Sequence, residues 1–218
     1  MLYLLGQYLQ SFFGPARLLQ SYTVLIAIAL YLGFFLSYKL IPKFYNKLPH
    51  DRGREFAIKE TSDAAKGKPT GTGVVFITIF VVLCFLLIPF SFTRSLILLL
   101  TWFTMLSGFL DDRSVTSWGE YLKGFLDMLI SVAASVVLYY GLKNSSVDGV
   151  VSFWLPFVSH TVAVKPVVYV VISTIMLWAS INTTNCTDGV DGLSATLVLI
   201  ALITLGVIFY FILGHVNI

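Results

Sequence analysis

The sequence predicts an all-α protein that crosses a membrane several times. Hydrophobic residues make up 57% of the chain and charged residues only 11%, whereas about a quarter of the residues are charged in a typical soluble domain. The mean hydropathy is +0.88. A membrane span needs about 20 consecutive apolar residues. A single membrane domain over residues 1–218 with six transmembrane helices is therefore predicted, near Tyr22–Ile41, Thr72–Pro89, Phe92–Leu110, Leu122–Gly141, Lys165–Ile181 and Leu193–Leu213.

The segment before the first predicted span has neither the basic region nor the small-residue cleavage site of a signal peptide. Its pattern is typical of an amphipathic helix that lies on the membrane surface. Between the fourth and fifth spans, Val147–Ala163 is apolar but contains Pro156 and begins with an Asp148–Gly149 turn signal. A short hairpin-like segment outside the cytoplasm is expected there. A seventh span is the alternative, and it would place the loops after the third and fifth spans on opposite faces.

The basic residues predict the orientation. Ten of the 14 lie on one side of the six-span topology, eight of them in the loop over residues 39–68. By the positive-inside rule this side is cytoplasmic and both termini lie outside. Nine of the eleven acidic residues share the cytoplasmic side, and four of these lie in the loop over residues 39–68, which is interpreted as a solvated connector. Three polar clusters on this side are candidate functional sites.

The first cluster is the pair Asp111–Asp112 at the inner end of the third span. Adjacent carboxylates at a helix C-terminus oppose the helix dipole and repel each other. A cation such as Mg²⁺, which binds one or two carboxylates together with water and substrate phosphate, would compensate them. The alternative is a solvated helix end. Asp127, one turn into the fourth span, is interpreted as an i,i+4 partner of Lys123. The alternative is a functional residue, because an ionisable group inside a span is costly.

The second cluster is the sequence NTTNCTDGVDGL over residues 182–193, between the fifth and sixth spans. A tight turn would need two or three such residues, so this density favours a site for a cation, a nucleotide or a phosphate. The third cluster, residues 66–73 with the sequence KGKPTGTG, suits an anionic phosphate at a helix N-terminus. A flexible basic loop would look the same. Together the clusters point to phosphoryl transfer between a cytosolic nucleotide compound and a membrane lipid.

These motifs resemble the polyprenyl-phosphate N-acetylhexosamine-1-phosphate transferases. Thr187–Asp188 resembles the branch that transfers phospho-N-acetylmuramoyl-pentapeptide. The resemblance implies Mg²⁺-dependent transfer of this group from UDP-N-acetylmuramoyl-pentapeptide to undecaprenyl phosphate, giving lipid I and UMP, at the cytoplasmic face of the bacterial inner membrane. A homodimer is left open, and no nucleic-acid partner is expected.

The resemblance assigns roles residue by residue. The catalytic and metal-binding residues would be Asp111, Asp112 and Asp188, and the substrate-binding residues would be Lys66, Thr70, Asn182, Asn185, Gly189 and Asp191. Lys66 stands in for a family lysine whose position falls on Ala65, and Asp127 stands where many members have Gln.

Family members have about ten spans, with a third carboxylate and a His-rich loop after the sixth. The chain would therefore match about the first two thirds of a member and lack part of the catalytic machinery. Two alternatives remain open from sequence: a transferase that uses UDP-GlcNAc, and a cation transporter or non-catalytic membrane component.

Overall fold

The computed structural model describes residues 2–50, 67–114, 118–154, 161–187 and 192–209. Within these ranges the elements are seven α-helices, two short 3-10 helices and one pair of short strands. The helices are α1 Leu2–Leu9, α2 Tyr22–Phe44, α3 Gly73–Leu87, α4 Phe92–Arg113, α5 Glu120–Ser145, α6 Pro166–Thr187 and α7 Leu193–Val207, and the strands are β1 Ser152–Trp154 and β2 Thr161–Ala163.

Four of the helices, α2, α4, α5 and α6, are long and apolar enough to cross a membrane. This confirms an α-helical membrane protein. Helices α3 and α7 occupy the other two predicted spans but have 15 residues each in the described chain, fewer than the usual lower limit of about 17. Helix α3 ends before the predicted Pro89 because Ile88, the residue before that proline, takes an extended conformation with ψ of 139°.

Each long helix packs against the next one along the chain, from α2 through α6. Between α2 and α3 the contact is apolar, and its buried residues are Leu25, Val75, Ile79, Leu83 and Leu87. Between α5 and α6 it includes small polar side chains. Ser131 and Ser135 are fully buried, and the Ser135 Oγ accepts a hydrogen bond of 3.2 Å from Thr174 Oγ1. Small side chains of this kind allow membrane helices to approach closely.

The segment between α5 and α6 forms an antiparallel strand pair with Phe153 opposite Val162. The Phe153 ring stacks on Tyr169 at 5.5 Å between centroids, which fixes the pair against the start of α6. Extended backbone at residues 152–154 and 161–163 is incompatible with the continuous helix that a seventh span would need. The side of the membrane on which the pair lies stays a prediction.

Helix α1 forms where the sequence analysis expected an amphipathic helix. It turns back onto the 3-10 helix Gly14–Gln20, and a Cβ at Gly6 would lie 2.9 Å from Leu19 Cβ. Leu2 and Tyr3 pack against the α2–α3 core cluster. Its position on the membrane surface stays a prediction.

Candidate functional site

The acidic pair lies in the last turn of α4, as predicted. Asp111 Oδ2 forms an ion pair with Lys123 Nζ on α5, and Asp111 Oδ1 accepts a hydrogen bond of 2.7 Å from the Trp118 backbone N–H. The Asp111 side chain is only 11% exposed and that of Lys123 is 34% exposed. Asp112 is exposed at the end of the helix.

The Asp111–Lys123 ion pair offsets two unfavourable helix-dipole interactions. A carboxylate at the C-terminus of α4 and an ammonium group in the first turn of α5 are each disfavoured by their own helix. Across the short connection between the two helices, each charge compensates the other. The sequence analysis paired Lys123 with Asp127. Among the described residues Lys123 instead forms its ion pair with Asp111, although its charge also acts on the Asp127 carboxylate.

Lys123 was therefore missed as a site residue. The sequence did contain a signal for it, because a lysine in the first turn of a helix lacks the dipole support that it would have in the last turn. A nearby carboxylate would stabilise such a lysine, and the Asp111–Asp112 pair lies just before the connection between α4 and α5.

The KPTGTG loop, residues 68–73, lies against the same end of α4. The Thr70 backbone N–H donates to the Pro49 carbonyl at 2.8 Å, and the Thr70 hydroxyl reaches the same oxygen at 3.3 Å. At Gly71, φ is +66° and a Cβ would lie 2.9 Å from Phe109 Cδ2. Because Phe109 precedes Asp111 by two residues, two of the three predicted clusters adjoin. Lys66 lies outside the described residues.

The asparagine-rich segment begins as helix, which corrects the expectation of a loop starting after Ile181. Helix α6 continues to Thr187. Asn182 Nδ2 donates to the Trp178 carbonyl at 2.9 Å, and Thr184 Oγ1 donates to the Ser180 carbonyl at 2.8 Å. A polar side chain that donates a hydrogen bond to the carbonyl four residues earlier is compatible with a continuing helix. The polar composition of this segment therefore does not end α6.

Asn182 and Asn185 are three residues apart on α6 and lie on one face of it. Asn185 is exposed. Asp188, Gly189 and Asp191 lie outside the described residues. The described chain shows no direct contact between either asparagine and the Asp111 carboxylate.

A tryptophan instead connects α6 to the acidic site. Trp178 Nε1–H donates to the Gly124 carbonyl at 2.8 Å, while the Trp178 carbonyl accepts the bond from Asn182. Gly124 follows Lys123, the partner of Asp111. The start of α3 and α5 and the end of α4 and α6 thus lie at one end of the helix bundle. That all three clusters form one site stays a prediction.

The donor chemistry at this end fits a magnesium ion in part. Two adjacent carboxylates are a sufficient protein contribution for Mg²⁺ when phosphate and water complete the shell. Among the described residues each Asp111 oxygen has one partner, which leaves a second lone pair for a metal ion. Within the described ranges no three His, Cys, Asp or Glu residues form a metal-binding group, and Asp188, the third predicted ligand, lies outside these ranges.

Comparison with known proteins decides the family. The sequence profile of glycosyl transferase family 4 matches residues 95–218, from α4 onward. The chain belongs to glycosyl transferase family 4. The matched residues of the chain include Asp111, Lys123 and the asparagine-rich end of α6.

The chain is 52% identical over 210 residues to a protein from Treponema pallidum named phospho-N-acetylmuramoyl-pentapeptide-transferase, covering 96% of the chain and 56% of that relative. Proteins of the same name from Campylobacter curvus and Aquifex aeolicus are 30% and 27% identical over 91% and 99% of the chain. The chain thus spans a little over half the length of these relatives. No solved structure matches it.

Proposed function

We propose that this chain carries the reacting end of an enzyme that transfers phospho-N-acetylmuramoyl-pentapeptide from UDP to undecaprenyl phosphate, releasing UMP and forming lipid I. The observation that carries the proposal is the meeting of Asp111, the Thr70–Gly71 loop and the end of α6 at one end of a membrane bundle. The similarity to the Treponema pallidum protein supports the choice of substrates.

The chemistry needs a phosphate oxygen of the lipid to form a bond to the sugar-linked phosphorus while the bond from that phosphorus to the UMP oxygen breaks. Asp111 and Asp112, with Asp188, would hold Mg²⁺, which supplies charge neutralisation for the phosphates when it is bound. Lys123 fixes the Asp111 carboxylate at the end of α4. It thereby limits the repulsion between the two adjacent carboxylates.

The remaining predicted residues would bind the nucleotide donor. Thr70 is held next to the end of α4 through the Pro49 carbonyl and Gly71, which suits a contact to phosphate. Asn182 and Asn185 present amide groups on one face of α6, and amides can pair with a uracil edge. Lys66, Gly189 and Asp191 are assigned to the same donor site by the motif match alone.

We further propose that this end faces the cytoplasm of a bacterial inner membrane, with both termini of the chain outside. A nucleotide donor is made in the cytoplasm and its headgroup cannot cross the hydrocarbon core cheaply. The excess of basic residues in the loop over residues 39–68 agrees with this orientation.

The test is a chimera that joins this chain to the part of the Treponema pallidum relative that the chain does not cover. In proteoliposomes with undecaprenyl phosphate, the chimera should release UMP from UDP-N-acetylmuramoyl-pentapeptide, stop when EDTA removes the metal, and recover on addition of Mg²⁺. UDP-GlcNAc serves as the comparison donor, and equal or faster UMP release from it would overturn the assignment of the substrate.

The variant Asp112→Asn should lower turnover by about 100-fold or more, because it removes a carboxylate proposed to hold the Mg²⁺ that neutralises the phosphate charge. Asp148→Asn is the matched control, since Asp148 lies in the turn after α5 and its loss should leave turnover unchanged. Full turnover in Asp112→Asn would contradict the proposed site.

A further inference from the structure

A groove between α2 and α3 in the described chain is not used by the proposed reaction. Its volume is about 610 Å³, within the range of about 300–1,000 Å³ usual for ligand sites. Its walls are almost entirely apolar and include Leu25, Ala29, Gly33, Ile79 and Leu83. One charged side chain, Arg94, lines it as well.

The groove is elongated along the membrane helices. It follows α2 from Tyr22 to Ser37, which at 1.5 Å per residue is about 22 Å. The hydrocarbon core of a membrane is about 30 Å thick. The groove is longer than half of this thickness, so it can accommodate a lipid acyl chain. An aqueous ligand would gain little from such walls, whereas an alkyl chain would match them.

Arg94 marks one end of the groove as cationic. It lies in the first turn of α4, whereas Asp111 lies in the last turn, so the two are separated by about 25 Å along the helix. The Arg94 side chain is exposed and forms no ion pair with any other residue that the structure describes. A guanidinium group favours phosphate oxygens, which it can bind through two parallel hydrogen bonds.

We propose that this groove binds an anionic phospholipid, with an acyl chain between α2 and α3 and the headgroup phosphate on Arg94. The occupant is distinct from the lipid acceptor of the proposed reaction, because its headgroup would lie at the end of the bundle opposite Asp111. The proposal therefore stands independently of the proposed function. The bound lipid would stabilise the packing of α2 against α3.

Gly33 keeps the middle of the groove open. A Cβ at this position would lie 3.5 Å from Leu83 Cδ1, an ordinary van der Waals contact. Alanine therefore fits, whereas a leucine side chain would have to extend into the space that the acyl chain occupies.

The first experiment measures lipid binding to the purified chain by native mass spectrometry in detergent. Phosphatidylglycerol and phosphatidylcholine with identical acyl chains are the probes. The wild type should bind phosphatidylglycerol about fivefold more tightly, the effect of one basic residue near a lipid surface. Arg94→Gln should remove this preference, and Arg17→Gln, which changes another exposed arginine outside the groove, should keep it. Equal binding of both lipids by the wild type, or a preference that survives in Arg94→Gln, would overturn the proposal.

The second experiment tests the groove itself. Gly33→Leu should lower the affinity for both lipids, while Gly33→Ala should bind them as the wild type does. Inorganic phosphate at the same concentration should not displace the lipid, because the apolar chain supplies most of the binding. Unchanged binding in a folded Gly33→Leu protein would show that the lipid lies elsewhere. Displacement by phosphate alone would show that the apolar groove does not hold the acyl chain, and would also overturn the proposal.

Discussion

Gly71 shows at the scale of one residue why the KPTGTG loop can reach the acidic pair. Its positive φ is open to glycine at little cost. Its missing side chain also leaves room for the Phe109 ring, which a Cβ would meet at 2.9 Å. The loop and the end of α4 can therefore be neighbours only while this position has no side chain.

We predict that Gly71→Ala destabilises the protein more than Gly67→Ala does. Both glycines have positive φ, but a Cβ at Gly67 meets nothing within 4 Å. Gly67→Ala should cost about 1–2 kcal/mol for the backbone conformation alone. Gly71→Ala should add about 1–3 kcal/mol for overpacking against Phe109. Thermal unfolding in detergent measures the difference, and equal midpoints for the two variants would show that the contact with Phe109 can relax freely.

Single residues also show where sequence reasoning stops. Asp111 could be predicted as a site residue because a carboxylate pair at a helix C-terminus is unfavourable without a partner. The identity of that partner could not be predicted, since Lys123 has an acid four residues away on its own helix as well as Asp111 across a gap. Only the packing of α4 against α5 decides between the two.

At the scale of elements, two contacts join α4, α5 and α6 at the reacting end. Asp111 pairs with Lys123 between α4 and α5, and the Trp178 indole binds the Gly124 carbonyl between α5 and α6. Both contacts involve neighbouring residues of α5, Lys123 and Gly124. The first turns of α5 thus set the position of both neighbouring helix ends.

We predict that Trp178→Phe loosens the α5–α6 contact locally. It removes one indole hydrogen bond, worth about 0.5–1.5 kcal/mol, and hydrogen–deuterium exchange should rise at the start of α5 and the end of α6. Trp102→Phe is the matched control, because Trp102 Nε1–H donates to Thr78 Oγ1 at 3.1 Å between α4 and α3. In that variant the rise should appear in α3 and α4. Unchanged exchange at the start of α5 in Trp178→Phe would contradict a role for this bond.

Helix α6 illustrates which element boundaries a sequence can predict. The end of α3 was predicted to within two residues, because Pro89 restricts the residue before it. The end of α6 was predicted six residues too early, because Asn and Thr favour turns in general. Their side chains bond back to the helix here, an outcome that composition does not reveal.

On the scale of the whole molecule, the order of the helices was predictable from the spacing of apolar stretches, and so was the gathering of the clusters at one end. Each span takes the chain from one face of the membrane to the other. Two loops that are separated by an even number of spans therefore lie on the same face. In the described chain, residues 67–73 and the end of α4 adjoin, while Asp188, Gly189 and Asp191 lie outside the described residues, so the gathering of all three clusters stays a prediction. Helix α3 is shorter than the expected span, since the hydropathy of a segment does not determine where its helix begins or ends.

The orientation in the membrane is testable with single cysteines. In a background with Cys84→Ala and Cys186→Ala, Val147→Cys should react with a membrane-impermeant maleimide in intact cells, and Asn46→Cys should react only after permeabilisation. Val147 is 101% exposed after α5, and Asn46 lies in the exposed turn after α2. The reverse labelling pattern would invert the assigned topology.

The packing of each helix against the next one also has a consequence for the order of assembly. Asp111 and Lys123 are 12 positions apart, so the entropy lost in closing the loop between them is small. A chain dominated by such short-range contacts has a low contact order and is expected to fold rapidly. During synthesis, the α4–α5 hairpin can form its ion pair as soon as both helices have left the ribosome, before α6 arrives. This end of the bundle would then be built in chain order, one helix at a time.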